Sequence, residues 1–154
     1  MLGGAGMAGV SRDELVERLR GYQDQLAAAE KQGRRQFDAV FQNPPAAVAV
    51  HELDLNAVIT RVNAEELRLF GYGEGDLVGQ PVWKFVVMQE TSRRSVEQKL
   101  AGVKDIKPFV RTFRTASGGG LAMLLVDRRL CSASGNVIGI RTAMTPILPD
   151  EGEL

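Results

Sequence analysis

The chain has 154 residues, with 19 Lys and Arg balancing 19 Asp and Glu, and it carries a single His, a single Cys and a single Trp. That length suits one domain able to bury its own core, and a net charge of zero offers no field for nucleic acid, whose binding rests on many uncompensated cations against phosphate. One cysteine excludes an internal disulfide, and one His with one Cys cannot furnish a four-ligand zinc site unless carboxylates supply the rest.

No stretch approaches the roughly 18 to 20 apolar residues of a membrane span, and no basic region followed by an apolar run opens the sequence. The chain is therefore read as cytoplasmic. Residues 1–10 read as a flexible, glycine-rich leader. Gly4, Gly6 and Gly9 have dinucleotide-binding spacing, but that fingerprint works only where a strand leads into it and a helix follows, and no strand precedes it in this sequence.

Ser11 with Glu14 forms a capping box, so a helix is expected to start there. Leu15, Leu19, Tyr22 and Leu26 recur at alternating spacings of four and three, a pattern continued by Ala29, Gly33 and Gln36. This is the seam of a coiled coil. Residues 11–36 are accordingly expected to be a linker helix, either lying on its own domain or pairing with a second copy, and the homodimer is the favoured of the two. Phe37, Val40 and Phe41 follow as an apolar cluster, and Asn43, Pro44 and Pro45 then stop any helix.

A globular domain over residues 37–147 is expected next, with residues 148–154 as an acidic tail. Ala46 to Leu53 and Val58 to Val62 read as a hairpin around the turn Asp54 to Ala57. Asn63 caps a helix carrying Leu67 and Phe70 that ends at Gly71. Short turns punctuated by Gly73, Gly75, Gly79 and Pro81 lead to the apolar segment Val82 to Met88. Gln89 to Gly102 is amphipathic, with Val96 and Leu100 on one face. Three strand-like runs close the domain, Phe109 to Thr115, Leu121 to Ser132 and Val137 to Thr145, separated by glycine-containing turns. The expected fold class is α+β, a five-stranded antiparallel sheet with helices inserted between the second and third strands.

In this order the chain resembles a PAS domain, the sensor module of bacterial signalling proteins. The resemblance rests on Asp54 with Asn63 nine residues on, Gly71-Tyr72, the short helix ending at Gly79, the turn Ser134-Gly135-Asn136, and Gly139 in the last strand. Two departures stand out. Ala57 replaces the glycine usual in the first turn, so a slightly different turn is expected. Ala143-Met144-Thr145 replaces the family's Asp-Ile-Thr, which puts the usual coupling through that Asp in doubt.

The resemblance implies a module that binds haem, flavin, a small metabolite, or only another protein. Haem-binding relatives carry their axial ligand on the helix placed here at Gln89 to Gly102, which has no His, and His51 reads as a packed strand residue. The light-sensing flavin class needs a cysteine just before that helix, and Cys131 lies elsewhere. Haem and a cysteine-adduct flavin are thus disfavoured, while non-covalent flavin or a small apolar ligand stays open. Pocket candidates are Trp83, Phe85 and Val87 from the loop, Val96 and Leu100 from the helix, and Phe109, Phe113, Met123, Leu125, Ile138 and Ile140 from the strands.

Leu121 to Val126 is apolar on both faces of its strand, so the outer sheet face should be covered as well. The helix over residues 11–35, from this chain or a partner, is the natural cover. Leu124 and Val126 therefore join Leu15, Leu19, Tyr22 and Leu26 as candidate dimer contacts. No nucleophile with its base, phosphate loop or metal-binding pair of histidines is present. The chain reads as a sensor within a histidine kinase, diguanylate cyclase or regulator, any catalytic output lying outside it, with a ligand-free interaction scaffold as the alternative.

Overall fold

A computed structural model describes residues 10–148, so the glycine motif at residues 4–9 and nearly all of the acidic tail lie outside the described residues. The element order is α1 (Arg12–Gln32), α2 (Arg34–Phe41), β1 (Ala49–Leu53), β2 (Ile59–Val62), α3 (Ala64–Phe70), α4 (Glu74–Leu77), a single 3-10 turn (Val82–Phe85), α5 (Gln89–Leu100), β3 (Phe109–Arg114), β4 (Gly120–Cys131) and β5 (Val137–Pro146). The five strands form one antiparallel sheet in the order β2-β1-β5-β4-β3. The short inserted helices lie on its inner face and α1 on its outer face.

The Ser11 cap is present, its side chain accepting from the Glu14 amide at 3.1 Å. The first helix stops at Gln32, four residues short of the expected end at Gln36. Gly33 breaks it at φ 119° and ψ 170°, and Phe37 and Phe41 then bury on a separate helix, α2. Ala46 to Val48 is not strand but turn, with Ala47 at φ 59°.

Ala57 gives a sharper correction. It occupies φ 61°, the left-handed region that glycine enters without cost, so the turn keeps the glycine conformation and places an alanine in it. Gly139 is explained by space, since a Cβ there would collide with the Leu53 carbonyl oxygen on the neighbouring strand.

The outer face decides the role of α1. Leu15, Leu19, Tyr22 and Leu26 are buried against Val48, Val50, Leu124, Val126 and Ala143 of the same chain. The residues expected at a dimer contact thus pack on the sheet of their own chain. The pattern explains why: Val16 and Gln23 are buried beside the four seam residues, giving a stripe wider than a coiled-coil seam and matched to a flat sheet. Gln23 reaches the backbone beneath, its Nε2 donating to Val126 O at 3.1 Å and to Arg141 O at 2.9 Å. Ala143, where the family has Asp, lies fully buried in this layer, and an unpaired carboxylate there would be costly.

Asn63 caps α3 as expected and does more. Its Oδ1 accepts from the Glu66 amide and the Val50 amide, both at 3.0 Å, and its Nδ2 donates to Val48 O. One buried amide thus ties α3 to the first strand.

Candidate functional site: a closed pocket over a polar row

The side chains of β1, β5 and β4 alternate between faces, so register alone aligns the inner ones. His51 lies opposite Thr142, and Thr142 opposite Asp127. This polar row crosses the inner face between Leu53 and Ile140 on one side and Ala49, Met144 and Leu125 on the other.

Each end of the row holds one helix. His51 is 1% exposed and its Nδ1 lies 2.9 to 3.0 Å from both oxygens of Glu66 on α3. Burial alone would depress its pKa, but Glu66, with smaller help from Asp127 and Glu52, outweighs this and raises it above the usual histidine value. Asp127 accepts from Thr142 Oγ1 at 2.6 Å and from Lys99 Nζ of α5 at 2.9 Å. Lys99 also stands 3.6 Å from the centre of the Phe109 ring. Its pKa is lowered, mainly by burial, with Asp127 opposing and Lys104 and Arg111 adding to the shift.

Between the row and α5 lies a cavity of about 30 Å³. A water needs at least about 10 to 15 Å³, whereas drug-sized ligands occupy roughly 300 to 1,000 Å³; the space suits water and falls well short of such a ligand. Its apolar wall is Leu53, Val82, Val86, Val96, Phe109, Phe113, Leu125 and Ile140, and its polar groups are His51, Ser92, Ser95, Lys99, Arg111, Asp127 and Thr142.

Of the sequence candidates, Val96, Phe109, Phe113, Leu125 and Ile140 line this cavity. Leu100 and Met123 are buried in the adjoining inner core. Trp83 and Phe85 pack partly buried beside it, because the segment is a 3-10 turn that presents Val82 and Val86 inward. Val87 and Ile138 are corrections in full: each is about half exposed, at 49% and 50%. Ile138 sits near the β4–β5 turn, on the outermost residues of β5. Cys131 is exposed at the end of β4.

The polar row itself is absent from the sequence reading. Lys99 looks like one more charge on a polar helix, and Asp127 follows a run chosen for its apolar faces. Only alternation from Leu125, continued two residues to Asp127, could have signalled a carboxylate on the inner face.

The sequence matches the PAS fold family model over residues 35–147, and the chain belongs to that family. Among curated proteins none matches the sequence. Solved structures similar to it include the PAS domain of an HTR-like protein from Haloarcula marismortui, with a TM-score of 0.60 and 18% identity over 83% of this chain and 99% of that one. Another is the RpfR quorum-sensing receptor PAS domain from Cronobacter turicensis in complex with BDSF, with a TM-score of 0.55 and 21% identity over 68% and 97%. A domain of a sensory box sensor histidine kinase/response regulator from Geobacter sulfurreducens matches with a TM-score of 0.58 and 18% identity over 72% and 91%. Among the described residues no helix is long and apolar enough to cross a membrane, and no group of three or more His, Cys, Asp and Glu could hold a metal ion.

Proposed function

We propose that the chain is the sensory module of a larger signalling protein, such as a histidine kinase, diguanylate cyclase or regulator, and that a small molecule entering beneath α5 is the input. One observation carries this reading: the cavity wall and the contact to α1 meet on the same two strands. Lys99 of α5 pairs with Asp127 on the inner face, while the carbonyl of the preceding residue, Val126, accepts from Gln23 of α1 on the outer face. Arg141, next to Thr142, supplies the second carbonyl.

A ligand that widens the pocket displaces α5, and the Lys99–Asp127 pair carries that displacement to β4 and β5. The helix on the far side then feels a shift between two packings of the sheet. Val10 before α1 and Ile147 after β5 both pack against the outer layer, so the chain enters and leaves the domain where such a shift is delivered. A bound small molecule in the similar RpfR domain and the signalling context of the Geobacter domain are consistent with this role.

A second reading, a ligand-free interaction scaffold with a filled core, is favoured by the small volume of the cavity. Native mass spectrometry and a visible absorption spectrum of freshly purified protein separate the two. A retained mass, a chromophore, or a melting shift on screening small metabolites supports the sensor. An empty, colourless protein that no metabolite stabilises supports the scaffold.

A further inference from the structure

The small cavity adjoins a surface groove of about 260 Å³ between the C-terminal end of α5, the loop after it and the start of β3. Cavity and groove share Ser95, Lys99, Phe109 and Arg111. The groove adds Lys104 and Lys107 at its rim, with Asp105 beside them. Four cations therefore face two carboxylates, Asp105 and Asp127, in a chain whose overall charge is zero.

Most of this charge is already committed. Lys99 is held by Asp127, and Lys104 Nζ donates to Ser95 Oγ at 2.9 Å. Arg129 fixes the rim from below, its Nε donating to Lys99 O at 3.0 Å and its Nη2 to Lys104 O at 2.6 Å. Arg111 feels the Asp127 carboxylate through charge but is incompletely hydrogen-bonded. Its Nε is buried without a hydrogen-bond partner, and its guanidinium stands 5.2 Å from the centre of the Phe109 ring, which also carries Lys99.

A buried, unpaired guanidinium donor is expensive unless a partner arrives, and the fork of an arginine fits a carboxylate in bidentate fashion. The wall beyond it is apolar. Resting on the sensor reading above, we infer that the pocket is built for a small amphipathic carboxylate, its head group received by Arg111 under the Lys104 and Lys107 rim and its hydrocarbon tail lying beneath α5. The tail exceeds the space in the small cavity, so its entry is also the step that moves α5.

Isothermal titration of the full chain with octanoate and with octanol tests this. Octanoate should bind at least about tenfold more tightly, the range of a hydrogen bond to a charged group, and the preference should shrink as salt is raised. Arg111→Gln should remove the preference while the fold, read by circular dichroism, is retained. Arg111→Lys should restore part of it. Equal binding of acid and alcohol overturns the carboxylate inference and leaves the sensor reading standing. A preference that survives Arg111→Gln overturns the assignment of the head-group site, and absence of octanoate binding overturns the inference altogether.

Discussion

At the scale of single residues, the inner face is organised by buried charges, His51, Glu66, Lys99 and Asp127. His51 and Glu66 form a buried pair in which the imidazolium is favoured, since the histidine pKa lies above 6.5 in the folded protein. A group whose pKa is raised by folding contributes stability that is complete below its unfolded value and is lost as pH rises through its folded value. The melting temperature should thus fall as pH increases from about 6.5 upward, and His51→Gln should flatten that part of the profile. Thermal unfolding of both proteins across pH checks this; a parallel decline in the variant would show that another group is responsible.

Residues also mark where the sequence was legible. Asn63 was readable because a helix cap is a local device, and Val96, Phe109, Phe113, Leu125 and Ile140 were readable because alternation and helical spacing specify a face. Lys99 and Asp127 were not, since a partner 28 residues away leaves no periodic trace. Trp83 and Phe85 pack beside the cavity and not in its wall, since composition alone does not fix which residues of a 3-10 turn point inward.

At the scale of elements, α1 is the clearest case of a pattern with two meanings. Its heptad spacing is compatible with a partner helix or a sheet, and the deciding residues are Val16 and Gln23, which broaden the buried stripe. Because the stripe is satisfied inside one chain, Leu26→Ala should destabilise the protomer by about 2 to 5 kcal/mol, as for a buried leucine that leaves a cavity. The unfolding midpoint should not depend on protein concentration. A midpoint that rises with concentration, or a mass in light scattering that halves in the variant, would return α1 to a dimer interface.

The strands were placed to within a few residues because each has turn chemistry at its ends. The break at Gly33 was missed: the same glycine fits a weak seam position, and only the burial of Phe37 and Phe41 on a new axis reveals that the first helix has ended.

At the scale of the whole molecule, the sheet is a thin wall with a helix anchored to each side at adjacent residues. α5 is held through Asp127 and α1 through the carbonyls of Val126 and Arg141. If the wall transmits, removal of the two anchors should not be independent. A double-mutant cycle of Asp127→Asn with Gln23→Ala should give an interaction energy of about 0.5 to 3 kcal/mol, although the side chains lie on opposite faces. Additivity within about 0.3 kcal/mol would mean that the two layers fold and move separately.

The lone tryptophan has a practical consequence of the same geometry. Trp83 touches both inner clusters and lies under the Arg93 guanidinium, 5.5 Å from it, while Tyr22 is sealed in the outer layer with its hydroxyl donating to Val40 O and Phe41 O. Indole emission therefore comes from the inner side of the wall alone, and quenching of Trp83 with rising iodide would time the opening of the inner layer without a label and without interference from the helix behind it.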